Sequence, residues 1–288
     1  YGVHAAFACE AAPDAGVLAG LCDTLAAALD ESGETTSLQT VSYSDTTWAL
    51  LFNAAEGSVF QNQQLRQALA GIARENADVP SSGLYAAAKG LVPEGLTVDG
   101  LDYRETAGDP LPTIPEPKAL YLAARQGMAT SDFSGVTLLL PKNAGLGELA
   151  DQINSAWQKE CSLFFSVEEV EQDEFDARIA AGKYTIALAP IRAEGGSVYQ
   201  MLQQFTAEGG SLTGYADTVY ADRLALSAQQ TGKDRCALLA QCERQLLESC
   251  TVVPLMAQQK RLLLANGVRD LVFDPFFPVL DLTWAKMS

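Results

Sequence analysis

The chain has 288 residues, 48% of them hydrophobic and 19% charged, and 36 acidic against 19 basic side chains leave a formal charge of −17. That length and apolar content can bury a sizeable core, as one large domain or two small ones, and exclude a disordered polyelectrolyte. The acidic balance argues against nucleic acid as a partner, because a phosphate-binding surface needs Lys and Arg to displace counterions. No apolar run approaches the roughly 20 residues that span a bilayer. The opening Tyr1-Gly2-Val3-His4 has no basic leader and no initiator Met, and it reads as a mature form or a piece of something longer.

In chain order, Gly2 to Cys9 predicts a strand. AGVLAGLCDTLAAAL, after Pro13 and Asp14, predicts a helix on its Ala and Leu content, with Gly20 as a break point. SLQTVSY and TTWALLFN are β-branched and aromatic runs parted by Ser44 and Asp45, which predicts a hairpin or two adjacent strands. NQQLRQALAGIAREN places Leu65, Ala68, Leu69 and Ile72 at helical spacing. Residues 90–116 are rich in Gly, Pro and Asp without periodicity, a long loop of the kind that is functional or flexible. PEPKALYLAARQGM has the proline start and glycine stop of a helix.

From Gly135 the pattern becomes regular. GVTLLLP, SLFFSVEEVE and YTIALAP read as strands, and LGELADQINSAWQKE, DEFDARIAAG and SVYQMLQQF as the helices between and after them. Such alternation predicts crossover units and a largely parallel sheet, with VTLLLP and TIALAP apolar on successive residues as strands covered on both faces. Two more helices, TVYADRLALSAQQ and DRCALLAQCERQLLES, precede CTVVPLMAQQKRLLLA and VLDLTWAK, which read as strands.

Chemistry-bearing motifs are scarce. There is no GxGxxG after a strand, no GxxxxGK[ST] and no GxSxG, and any Ser-His-Asp or Cys-His arrangement would depend on His4, the single histidine. Cys9, Cys22, Cys161, Cys236, Cys242 and Cys250 form no CxxC, so neither a Cys/His metal site nor a cofactor is expected, while disulfides and buried thiols both stay open. Carboxylates are plentiful but no motif singles out a catalytic pair. Binding therefore leads over catalysis.

Several segments, in order and spacing, resemble one family over residues 45–265. They are TWALLFNAAEGSVFQNQQLRQAL, AAAKGLVPEG, PEPKALYLAARQG, GVTLLLPKNAG with LADQINSAWQKE, EFDARIAAGKYTIALA, LTGYADTVYADRLALSAQ and CERQLLESCTVVPL. The family is the extracellular solute-binding component of ABC importers, family 5. The resemblance implies an α/β, periplasmic-binding-protein-like (type II) lobe with a mixed, mostly parallel sheet flanked by helices. Residues 1–288 would form the C-terminal lobe of a two-lobed receptor, with 1–12 and 266–288 near the hinge and the N-terminal lobe missing. It also implies a peptide or other small solute as ligand, permease subunits as partners and no enzymatic activity. The expected location is extracellular, as an anchored lipoprotein, or periplasmic. One alternative keeps the fold in a ligand-sensing regulatory protein, and a third reading is a hydrolase.

The resemblance also bears on YTIALAPIRAEGGSVYQML, where an apolar run breaks into a charged, glycine-rich turn. In the family that turn reads Trp-x-Ala-Asp-x-x-Asp-Pro and its first acid holds the ligand's amino group. Here Ile191 stands where Trp is usual and Glu194 where Asp is usual, while Ser197 and Val198 replace the later Asp-Pro. Glu194, Arg192 and Ile191 are thus candidate ligand contacts; the competing reading is an exposed Arg192–Glu194 pair on a solvated turn. Trp48 and Asn53, at the end of their strand, and Tyr215 are further candidates, with core packing the alternative for Trp48 and loop bracing for Tyr215. Arg66 is expected to cap or pair structurally. Phe276 and Phe277 are expected near the hinge or over the core.

Overall fold

The computed structural model describes residues 38–80, 84–265 and the short segments 268–269, 272–274, 277–281 and 286–287. The strand and helix expected before residue 38, His4, Cys9, Cys22 and Phe276 lie outside the described residues. Strand β1 runs unbroken over Leu38–Phe52, so the turn expected at Ser44 and Asp45 is not formed. Against β8 (Val252–Ala265) the register slips between Tyr43↔Lys260 and Thr46↔Gln258, leaving Ser44 and Asp45 opposite one residue as a bulge. The polar pair is tolerated there because its groups find partners: the Asp45 carboxylate meets Lys260 Nζ at 2.7 Å, and its carbonyl accepts the Ala193 N–H at 2.8 Å.

Between β1 and β8 come, in order, α1 (Gln63–Asn76), β2 (Tyr85–Ala87), β3 (Thr97–Val98), β4 (Leu101–Asp102), α2 (Tyr103–Ala107), α3 (Pro117–Ala124), β5 (Thr137–Pro141) and α4 (Gly147–Cys161). They are followed by β6 (Ser166–Val170), α5 (Gln172–Ala180), β7 (Ile186–Arg192), α6 (Val198–Gln203), α7 (Thr218–Ser227) and α8 (Gly232–Glu248). After β8, β9 (Val268–Arg269) pairs with β12 (Lys286–Met287), and β10 (Val272–Asp274) with β11 (Phe277–Asp281). Phe277 opens β11.

The main sheet has the order β2-β8-β1-β7-β5-β6. The β5 ladders to β6 and β7 are parallel, while β1–β7, β1–β8 and β2–β8 are antiparallel. Strands β5, β6, β7 and β8 therefore point one way and only β1 and β2 the other, a mixed sheet in which the parallel direction dominates. Side chains alternate across it. Trp48, Leu50 and Phe52 join α1, α3 and α4 in one core, whereas Ala49 and Leu51 join α2 and α5 to α8 in the other. Double coverage explains why β5 and β7 are apolar on consecutive residues.

The 90–116 segment is ordered rather than a free loop. Asp99 and Gly100, both with positive φ, close the two-residue turn between β3 and β4, a signal that Asp-Gly carries in any sequence. Below it, Glu243 of α8 is fully buried and ties the segment down. Its Oε1 accepts from Val92 N–H and Arg104 Nη2, each at 2.9 Å, and its Oε2 from the Tyr103 hydroxyl at 2.9 Å. Burial, and then the adjacent carboxylate, push the Tyr103 phenol well above its ordinary pKa. Gly90 is required at this crossing: a Cβ there would lie 2.6 Å from Glu243 Oε1 and 2.7 Å from Arg104 Nη2. Arg66, 6% exposed, donates instead to the carbonyls of Ser249, Gln61 and Phe60, and has no ion-pair partner among the described residues. It is a carbonyl cap, as its structural reading anticipated.

Two outcomes follow. Glu243→Ala leaves Arg104 unpaired and is expected to lower the unfolding free energy by about 3–5 kcal/mol in urea denaturation, with Gly90→Ala costing about 1–3 kcal/mol. Cys161, Cys236, Cys242 and Cys250 are free and buried, and desolvation raises each thiol, Cys161 and Cys242 to about 12 and Cys250 to about 11. At neutral pH these four thiols are expected to resist alkylation until denaturant is added, read by mass spectrometry.

Candidate functional site

The parallel strands end together. Pro141 of β5, Val170 of β6 and Arg192 of β7 lie at the end of the sheet toward which β8 also runs. At that end β1 and β8 outrun their neighbours. Pairing with β7 and β2 stops at Thr46↔Arg192 and Tyr85↔Gln258, whereas β1 and β8 continue to Leu38↔Ala265 as a two-stranded ribbon. Six paired residues, 38–43, make that ribbon about 20 Å long.

The Glu194 turn sits at the base of the ribbon. Ala193 N–H is bound to the Asp45 carbonyl, Gly196 N–H to Ala193 O at 3.0 Å and Ser197 N–H to Glu194 O at 3.1 Å. Gly195 and Gly196 have φ of 57° and 68°, which is why glycines follow the acid: a side chain would be strained at both. Ser197 then caps α6, its Oγ accepting from Gln200 N–H at 3.2 Å. Glu194 is held at a defined place and is solvent-exposed. Arg192 is exposed too, with its carbonyl accepting from Gln204 Nε2 at 3.1 Å. Both side chains thus stand in water on the turn, and no ion pair joins them or engages either of them among the described residues. Ile191, 2% exposed, is core beneath the turn and presents no wall to a ligand.

The other candidates do not converge here. Asn53 is at the far end of β1, beside Phe52↔Ile186, six residues and about 20 Å from Thr46↔Arg192. Its amide is already committed. It donates to Gly182 O and Tyr184 O at 2.9 Å each and accepts from Ala55 N–H at 3.0 Å. Tyr215 belongs to that same far end: Gly214 packs against Ala55, and the Tyr215 hydroxyl bonds Asp217 Oδ2 at 3.0 Å with its ring edge-on to Tyr220. It braces the loop that caps α7. Trp48, 6% exposed, lies between Pro190 and Met256 in the core. Glu194 and Arg192 thus remain on the rim, while Ile191, Trp48, Asn53 and Tyr215 serve the fold.

The structure adds a feature that the sequence reading did not single out. A cavity of about 250 Å³ opens on the same end of the sheet, between β1, β8, β2 and the 88–95 loop, lined by Ser44, Thr47, Ala87, Lys89, Gly90 and Gln259 among others. Its place in the sequence is the polar stretch Ser44-Asp45-Thr46-Thr47, just before the apolar run Trp48–Phe52 of the same strand, beside a KGLVPEG loop. Lys89 and Glu94 pair at 2.6 Å on its exposed loop. Among the described residues no group of three or more His, Cys, Asp and Glu side chains could hold a metal ion, and no helix is long and apolar enough to cross a membrane.

No protein-family model and no curated protein matches the chain. Solved structures do match. The substrate-binding domain of an oligopeptide ABC transporter from Bacillus anthracis str. Ames aligns with a TM-score of 0.69 at 17% identity, over 92% of this chain and 57% of that one. Listeria monocytogenes OppA bound to peptide aligns at 0.70 and 18% over 96% and 56%. A dipeptide binding protein from Pseudoalteromonas sp. SM9913 in complex with Met-Leu aligns at 0.66 and 14% over 96% and 57%. The fold is theirs. It is the periplasmic-binding-protein-like α/β architecture that the resemblance implied, and the chain spans little more than half the length of those structures.

Because Asn53 closes the far end of the sheet and is remote from the rim, Asn53→Ala is expected to cost about 1–3 kcal/mol of stability in urea denaturation. It should leave any binding that depends on Glu194 unchanged.

Proposed function

We propose that the chain is a solute-capture lobe, part of the binding component of an ABC importer, which holds a peptide or similar small solute by its amino group. The observation that carries this reading is the Glu194 carboxylate, exposed, without an ion-pair partner among the described residues, on a glycine turn at the rim where the parallel strands end. Ligands of open α/β sheets bind outside the carboxyl ends of the strands. An ammonium placed there forms a charge-assisted hydrogen bond, weak while water surrounds it and much stronger once a closing surface excludes water.

The matched structures support the same reading, since those described with a ligand hold a peptide or dipeptide. Those structures are nearly twice as long as this chain, and the reading includes a second lobe that completes the site. Permease subunits as partners and a station outside the cytoplasmic membrane, whether lipid-anchored or periplasmic, belong to this role. So does capture without turnover.

The test is a thermal-shift and calorimetric titration of the full-length protein with a library of di- to hexapeptides. A bound peptide at a hundredfold excess over its Kd is expected to add about 2.7 kcal/mol of stability. N-acetylation of the peptide, or Glu194→Gln, should each weaken binding by about 10- to 100-fold. A library that leaves the melting temperature unmoved ends the peptide reading.

A further inference from the structure

We propose that Asp45 is the positioning residue for Glu194: it sets where the acid stands on the rim and, through that, the preference for a free amino group. The proposal rests on the solute-capture reading and deepens it, by naming the group that makes the Glu194 turn a defined anchor. What carries it is a set of contacts that converge on one residue of a β-bulge. Asp45 Oδ1 accepts from Thr46 Oγ1 at 2.7 Å, Oδ2 from Lys260 Nζ at 2.7 Å, and the main-chain oxygen from Ala193 N–H at 2.8 Å. The three donors belong to β1, to β8 where it has become the ribbon, and to the residue that precedes Glu194.

The bulge accounts for the geometry. Up to Thr46↔Arg192, β1 and β7 pair residue for residue, and the bond from Ala193 to Asp45 carries the ladder one step further. There the register of β1 against β8 slips, and an extra residue bends and twists the strand that holds it. The ladder to β7 therefore ends at Asp45, and the chain beyond turns through Gly195 and Gly196. Consecutive Cα atoms are about 3.8 Å apart, so holding Ala193 also holds the root of the Glu194 side chain. Ala193 is fixed on two sides, by that hydrogen bond and by its methyl group, buried in the core beneath.

The side chain of Asp45 keeps its own carbonyl aimed. Lys260 stands opposite Tyr43, on the ribbon side of the slip, and its ammonium reaches across the bulge to the carboxylate. The Lys260 and Asp45 side chains are 17% and 18% exposed, so their attraction is screened less than that of a surface pair. With Thr46 on the other oxygen, the carboxylate is held at both ends, and the backbone of the bulge is confined with it.

The test compares peptides with a free and an acetylated amino terminus on the full-length protein, alongside backbone amide exchange. In the wild type the Ala193 amide is expected to be protected with the β1–β7 ladder, and the free amine to be preferred. Asp45→Ala removes both carboxylate contacts, and Lys260→Met the one across the bulge. Each is expected to cut protection of the Ala193 amide about tenfold relative to Leu50 and Leu188, and to bring the free and acetylated affinities within about threefold. Affinity for the acetylated peptide stays where it was. In Asp45→Asn the amide oxygen still accepts from Lys260 and the amide nitrogen donates to the Thr46 hydroxyl, so protection and preference are retained. A residue that merely stabilised the fold would lower both affinities together, and that result overturns the proposal. So does a preference that survives in Asp45→Ala or Lys260→Met, or one lost as deeply in Asp45→Asn as in Asp45→Ala. If no peptide binds, the capture reading falls, and the exchange arm decides whether Asp45 fixes the turn. Should neither variant fold, a wild-type Ala193 amide that exchanges as fast as an exposed one sinks the inference, and a protected one upholds it.

Discussion

Over residues 46–52 strand β1 has no free side. It is hydrogen-bonded to β7 along one edge and β8 along the other, and its two faces feed two separate hydrophobic cores. Ala49, Leu50, Leu51 and Phe52 are all fully buried, as a strand covered above, below and on both edges must be. The same strand then leaves the sheet as half of the ribbon with β8. Its bulge, placed where core gives way to ribbon, lets the Asp45 carbonyl hold the start of the Glu194 turn. Packing and rim share one backbone path, so displacing β1 would disturb both.

Among the described residues the few charged groups taken inside hold irregular backbone in place. Glu243 and Arg104 satisfy each other and the Val92 amide and carbonyl where the 88–95 loop crosses α8. Arg66 does the same for carbonyls near Phe60 and Ser249 without an acid. Neither arrangement need add to net stability, because desolvation offsets much of the attraction. Their effect is on shape: they give definite positions to segments that have neither helix nor strand hydrogen bonds. The rim follows the opposite logic, with Arg192 and Glu194 left in water and uncommitted.

Much of the architecture was legible before any coordinates. The alternation from Gly135 to Phe205, the helices over NQQLRQALAGIAREN and TVYADRLALSAQQ and the doubly apolar strands β5 and β7 all appear at or near the expected places. What misled were local signals whose meaning depends on distant residues. Ser44-Asp45 looks like a turn until Lys260 and Ala193 supply its partners. Residues 90–116 look like a free loop until Glu243, some 140 positions later, ties them down, although Asp99-Gly100 did carry a readable hairpin signal. Among the site candidates, strand-end position grouped Asn53 with Ile191 and Glu194, but antiparallel pairing puts the end of β1 beside the start of β7.

Taken by itself, the sequence determined the class of the fold, because hydrophobic periodicity and turn chemistry act over a few residues and survive without a tertiary context. It also determined that an acid would follow Ala193 on a turn needing two glycines, since positive φ excludes most side chains there. Only the tertiary structure decided which of the polar and aromatic candidates are free. Asn53 is spent on hydrogen bonds to residues remote from it in sequence, Tyr215 on its neighbour Asp217, and Trp48 and Ile191 are sunk in the core. Whether a group is available depends on what surrounds it in space, and strand order and register set those surroundings over separations of more than a hundred residues.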